Sequence, residues 1–177
     1  MTSRPVHEEV DDRVIEAVRQ IMLQLYHVSP AVVPHGRVIK IQRETIFYLY
    51  EGGEAAKWDP RRPHSKAARA LGGTSLKHAA LQKLITYEHA IPLAVLKDDL
   101  RASAPSLDSL RDLLRSRFRG VVITREENQR LRLCGLNARM PADAEPTDLL
   151  ARYRQAAIEF EAEDLASLLS GGVWPSR

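Results

Sequence analysis

A short apolar strand that runs straight into the start of a helix is the most definite local signal in this chain. Residues 120–124, GVVIT, are mostly β-branched, a composition typical of a strand. Thr124 then opens the tetrapeptide Thr-Arg-Glu-Glu, in which Thr124 is an N-cap and Glu127, three residues later, completes a capping box. We therefore expect a strand over 120–124 and a helix over 126–134, with no loop between them.

The spacing of apolar residues predicts helices over most of the remaining chain. Residues 8–27 carry Val, Ile, Met and Leu at three- and four-residue intervals, which places them on one helical face. Ser106 opens a second amphipathic helix, and Ser65 is the candidate N-cap of a short one. Further helices are expected over 66–71, 75–84, 93–101, 147–160 and 163–170.

Residues 37–50 differ in composition from the helix that precedes them. They are rich in β-branched and aromatic side chains, and Ile39 and Ile41 alternate with more polar neighbours. This pattern predicts two strands, about 37–42 and 45–50, that turn near Arg43-Glu44 and form a β-hairpin.

These elements together predict an α+β fold, a helix-rich single domain over 1–177 with small antiparallel β elements. The strands occur in two places, which is unlike a regular βαβ alternation. We divide the domain into an N-terminal helix and β-hairpin at 1–50, a basic loop and helices at 51–84, a core segment at 85–140, and C-terminal helices at 147–170.

The charge is concentrated in the middle of the chain. Residues 31–140 hold twenty Lys and Arg against eleven Asp and Glu, a net charge of +9, whereas the whole chain carries only +3. A basic centre of this kind predicts a phosphate-binding face, although long charged side chains that merely solvate helices would produce the same count.

The remaining composition excludes several classes of protein. The one cysteine, Cys134, leaves no internal disulfide framework and no paired-cysteine zinc knuckle. The polar N-terminus is unlike a secretory signal, and no apolar run approaches the roughly 20 residues that cross a bilayer. We therefore expect a cytoplasmic protein without a membrane partner, and a homodimer or a partner protein stays open.

The segment Tyr87-Glu88-His89-Ala90-Ile91-Pro92 resembles the first signature of the HNH (ββα-metal) nuclease family. That signature is an acidic residue and a histidine, then any residue, Ile or Val, and Pro. The resemblance implies a ββα-metal-like core around 85–137, in which ITYEH and GVVIT are the two strands, EENQRLRLC is the helix, and 90–119 is a helical insertion.

The same resemblance implies a metal-dependent nuclease that hydrolyses phosphodiester bonds in DNA. His89 would activate water, Glu88 would bind a divalent metal ion, Mg²⁺ first among them, and Asn128 would orient His89. Asn137 or Glu127 would complete the metal shell. The chain departs from the family in lacking its final histidine and its cysteine pairs.

A basic loop with one aromatic residue precedes this segment. Such a loop suits a nucleic-acid backbone, with the tryptophan stacked on a base. The alternative is a tryptophan packed on the domain among solvated arginines, and the sequence does not decide between the two. The predicted nucleic-acid-binding residues are Lys57, Trp58, Arg61, Arg62, Lys66, Lys77 and Arg125.

Two alternatives to the nuclease hypothesis stay open. His89 could brace the turn before Pro92 with Glu88 as its ion-pair partner, in which case it has no catalytic role. The protein would then be a non-catalytic nucleic-acid-binding or regulatory protein, or a structural module that docks a partner chain.

Overall fold

The structure is a computed structural model that describes residues 12–27, 35–51, 53, 59, 61–72 and 78–170. Helices dominate this part of the chain, and two strands form an antiparallel sheet. The predicted α+β class is therefore confirmed. No helix among the described residues has the length and apolar character needed to cross a membrane.

The first helix follows its predicted pattern. α1, Asp12–His27, buries Ile15, Val18 and Met22 on one face, as the three- and four-residue spacing requires. Its buried face joins the main hydrophobic core. The predicted residues 8–11 lie outside the described part.

The predicted hairpin at 37–50 is wrong, because this segment is helical. α2 spans His35–Thr45, and a π-helical turn, Ile46–Tyr50, continues it. Gln42 and Ile46, four residues apart, are both buried, and the Gln42 amide donates to the Tyr26 hydroxyl of α1 at 2.8 Å. Packing on α1 and on the later helix Leu93–Ser103 thus decides the conformation against the local β propensity.

Two short helices and then two longer ones follow. They are α3, Lys66–Gly72, and α4, His78–Leu81, then α5, Leu93–Ser103, and α6, Leu107–Arg117. The predicted cap at Ser106 is present, since its hydroxyl accepts from the Ser109 amide at 3.2 Å. α5 and α6 contact each other, and α6 also packs on α1.

The sheet forms between the two segments that the resemblance implies as strands. β1, Ile85–His89, runs antiparallel to β2, Gly120–Thr124, with His89 opposite Gly120. α5 and α6 occupy the connection between the strands. On the other edge of β2, the Val122 amide donates to Pro63 and the Val122 carbonyl accepts from Ser65, so that β2 is buried throughout.

α7, Arg125–Leu133, starts directly from β2 through the predicted capping box at Thr124. The described chain therefore contains a strand, a helical insertion, a second strand and a helix, in the order predicted. α8 spans only Ala151–Gln155, which is shorter than the predicted 147–160, and α9 spans Ala162–Leu169. α8 ends where Ala157 takes a left-handed conformation, with φ of 51°.

Candidate functional site

A cavity of about 460 Å³ opens where β1 ends and α5 begins. α2 and the π-helical turn form one wall, the end of β1 and the start of α5 form another, and the chain after α7 forms a third. The lining residues are Ile39, Arg43, Glu44, Phe47, Tyr87, Glu88, His89, Pro92, Leu93, Ala94, Asn137 and Ala138. Three predicted site residues, Glu88, His89 and Asn137, are thus brought to one place.

His89 is held by a carboxylate that sequence reasoning missed. Its Nε2 lies 2.9 Å from Oε2 of Glu51, and the Glu51 side chain is only 2% exposed. The imidazole also meets the rings of Tyr87 and Phe118 edge to face. The predicted alternative, in which Glu88 is the ion-pair partner of His89, is therefore wrong about the partner.

Glu51 is itself enclosed by polar partners. The Tyr87 hydroxyl donates to Glu51 Oε1, and Nη2 of Arg62 donates to the Glu51 backbone carbonyl at 2.5 Å. Arg62 also donates to the Tyr87 hydroxyl, and its guanidinium carbon lies 5.0 Å from the centre of the Tyr87 ring. We call His89, Glu51, Tyr87 and Arg62 the buried network.

The buried network shifts the pKa values of its members in opposite directions. Burial by itself would lower the pKa of His89, but the charge and hydrogen bond of Glu51 outweigh it, and the pKa of His89 is raised. Burial would raise the pKa of Glu51, but His89, Arg62 and Tyr87 together lower it. The arrangement therefore favours a charged imidazolium–carboxylate pair.

Glu88 points to a different partner, as expected for neighbouring strand residues. Its Oε2 accepts from Nη2 of Arg152 at 2.7 Å, and the Arg152 side chain is fully buried. Arg152 also donates from Nη1 to the Leu136 carbonyl at 3.0 Å. One face of β1 is thus tied to the π-helical turn and the other to α8.

The residues predicted in α7 do not line the cavity. Glu127 is buried, and its Oε2 accepts from the Ser65 hydroxyl at 2.6 Å and from the Thr124 amide at 2.8 Å. Asn128 is half-buried in the first turn of α7 and is absent from the cavity wall. Glu51, and not Asn128, is the residue that bonds the His89 ring.

Two of the donors predicted for a metal ion have other partners in this structure. Glu127 is committed to capping α7, and Glu88 is paired with a buried cation, which opposes a second positive charge beside it. Asn137 is then the remaining predicted donor in the cavity. Within the described ranges, no group of three His, Cys, Asp or Glu side chains is arranged to hold a metal ion.

The predicted nucleic-acid-binding residues have different surroundings. Arg62 is 1% exposed and belongs to the buried network, so it is not part of a surface loop. Arg61 is exposed but pairs with both carboxylate oxygens of Asp59, and Lys66 pairs with Glu159. Arg125 is exposed at the start of α7. Lys57, Trp58 and Lys77 lie outside the described residues.

Two residues of the site, Glu51 and Arg152, carried no recognisable signal. Glu51 follows the apolar run IFYLY and precedes two glycines, a context typical of an exposed strand end. Arg152 sits between apolar residues in a helix that was expected to be amphipathic.

No family model matches this chain, and neither the curated proteins nor the solved structures that were searched include a significant match.

Proposed function

We propose that this protein hydrolyses phosphodiester bonds in nucleic acid, with DNA as the favoured substrate and His89 as the proton-transferring residue. The observation that carries the proposal is the arrangement of Glu88, His89 and Asn137 around one cavity at the end of β1. β1 pairs with β2, and β2 continues into α7, which is the order that the resemblance to HNH nucleases implies.

His89 has the position and chemistry of a general base. Nε2 is bonded to Glu51, and no residue in the described part of the chain bonds Nδ1. Because the pKa of His89 is raised, Nδ1 can take a proton from a water molecule in the cavity only above that pKa, where the imidazole is neutral. The water oxygen then bonds to phosphorus, the phosphorus–oxygen ester bond breaks, and the leaving oxygen takes a proton from solvent.

Two features of the cavity bear on the binding of a phosphate. Arg43 lines it with a half-exposed side chain whose guanidinium is held by Glu44 at 2.6 Å. The N-terminus of α5 lies at the cavity, and its N-cap, Pro92, makes no side-chain hydrogen bond to it. The helix N-terminus favours an anion, whereas the charge of Arg43 is offset by Glu44, which lines the same cavity.

Cleavage of DNA by the purified protein tests the proposal. Supercoiled plasmid and a labelled single strand are incubated with the protein in Mg²⁺, in Mn²⁺ and in a chelator, and DNA affinity is measured in parallel. We expect His89→Ala to lose about 100-fold or more of the cleavage rate with its DNA affinity unchanged. The matched control is His27→Ala, at the exposed end of α1.

Equal cleavage by the original protein and His89→Ala would refute the role of His89. Binding of DNA without cleavage in all three buffers would refute the nuclease proposal and favour a non-catalytic binding protein. The chelator arm tests the divalent metal separately, since Mg²⁺ stays a prediction from the resemblance and no step described above uses it.

A further inference from the structure

The partner of His89 comes from outside the strand–strand–helix segment. Glu51 stands at the C-terminal end of the π-helical turn, 38 positions before His89. The two side chains meet because the π-helical turn packs beside the end of β1, with Phe47 and Tyr87 in ring contact. A second part of the chain is therefore needed to complete the surroundings of the imidazole.

Burying Glu51 is unfavourable unless each of its oxygens has a partner. Oε2 is bonded to His89, Oε1 accepts from the Tyr87 hydroxyl, and the backbone oxygen accepts from Arg62. Tyr87 and Arg62 bond each other as well. The carboxylate is thus held by the Tyr87 hydroxyl on one oxygen and by the imidazole on the other, while Arg62 fixes the backbone of the same residue.

We infer that Glu51 is a positioning residue that orients the His89 ring and leaves Nδ1 for the attacking water. The inference rests on the proposed function for its catalytic meaning. Its structural content is independent of activity: a carboxylate only accepts hydrogen bonds, so Nε2 must carry the proton when His89 is neutral. The ring tautomer is then set by Glu51.

The charged groups around His89 agree with this role. Glu51 and Glu88 both raise the pKa of His89, and Arg62 lowers it, while the adjoining Tyr87 and Phe118 rings bring no charge. Glu88 is already paired with Arg152. Replacing Glu51 by a neutral residue therefore removes the principal negative charge beside the imidazole.

Nitrogen-15 NMR of the histidine rings tests the inference without any variant. We expect the neutral form of His89 to be the tautomer protonated at Nε2. A neutral His89 protonated at Nδ1 would overturn the inference, even if the protein cleaves DNA.

A pair of variants then tests the role in catalysis. Glu51→Gln keeps the size of the side chain and removes its charge, so we expect a lower His89 pKa and a kcat about 10-fold or more below that of the original protein, with KM little changed. The alkaline pH at which kcat levels off should move downward with that pKa. Glu145→Gln, an exposed carboxylate elsewhere, is the control.

An unchanged His89 pKa and an unchanged kcat in folded Glu51→Gln would overturn the inference. Failure of the proposed function has a different signature: no cleavage by any variant, with the His89 tautomer and its response to Glu51→Gln as expected. In that case Glu51 still orients His89, and only the catalytic consequence is lost.

Discussion

The guanidinium of Arg152 and the carboxylate of Glu88 lie 2.7 Å apart, although 64 positions separate the two residues in the chain. The Arg152 side chain is fully buried, whereas Glu88 keeps about a quarter of its side chain exposed at the cavity. This pair connects the end of β1 to α8. Glu88, which lines the cavity, therefore also has a structural role.

Removing the charge of Glu88 should destabilise the protein. Glu88→Gln leaves the buried Arg152 cation without its counter-ion, and we expect the free energy of unfolding to fall by about 2–4 kcal/mol in urea denaturation. The matched control is Asp148→Asn, which breaks the exposed pair with Arg154 on the same helix and should cost about 1 kcal/mol or less. Equal losses in the two variants would show that burial of Arg152 is unimportant.

Glu127 should act in stability and not in metal binding. Glu127→Ala removes the capping box and leaves the Ser65 hydroxyl without its acceptor, so we expect a loss of about 1–3 kcal/mol. Glu127→Gln should lose less, because glutamine also serves in a capping box, and it should keep the cleavage rate. Loss of cleavage in folded Glu127→Gln would restore Glu127 as a candidate ligand. Glu126→Gln, exposed beside it, controls for the change of charge.

Substitution of Gly120 should destabilise the protein because Tyr87 lies against it. A Cβ atom at Gly120 would overlap the Tyr87 hydroxyl oxygen, so Gly120→Ala must displace the ring that holds Glu51. We expect a loss of about 1–3 kcal/mol in thermal or chemical unfolding. A Cβ atom at Gly36, in α2, would meet nothing within 4 Å. Gly36→Ala should therefore leave the stability unchanged or raise it by up to about 1 kcal/mol. An unchanged stability of Gly120→Ala would contradict the position of Tyr87.

The pair of His89 and Glu51 should make stability depend on pH. Because the pKa of His89 is raised, the contribution of His89 to the free energy of unfolding is complete below pH 6.5, the ordinary histidine value. That contribution is lost as pH rises through the pKa of His89 in the folded protein. The lowered pKa of Glu51 means that its contribution is complete above pH 4.5 and is lost as pH falls through its folded pKa.

The difference in free energy of unfolding between the original protein and Glu51→Gln should therefore be largest between pH 4.5 and 6.5. Urea denaturation across this range and on both sides of it measures the difference. The difference in free energy of unfolding between the original protein and the control Glu145→Gln should change little with pH. A flat profile for Glu51→Gln as well would mean that the two groups are not paired in solution.

Local signals predicted the elements around the site well. The capping box at Thr124 and the β-branched run before it predicted β2 and α7, because a cap and a strand pattern each depend on a few adjacent residues. The prediction failed at 37–50, where β-branched residues suggested strands. There Ile46 packs in the main core and α2 contacts α1 and α5, and this packing outweighs a propensity of about 1 kcal/mol or less per residue.

The pairing of β1 with β2 was implied by the resemblance to HNH nucleases and not by any local pattern. The sequence by itself determined α1, β2, the start of α7 and the segment that carries Glu88 and His89. Each of these depends on spacing or capping within a few residues. Only the tertiary structure decided which charges those side chains meet: Glu51 beside His89, and Arg152 beside Glu88. Charged residues pair across 38 and 64 positions without leaving any period in the sequence, because their contact depends on how whole helices pack around the sheet.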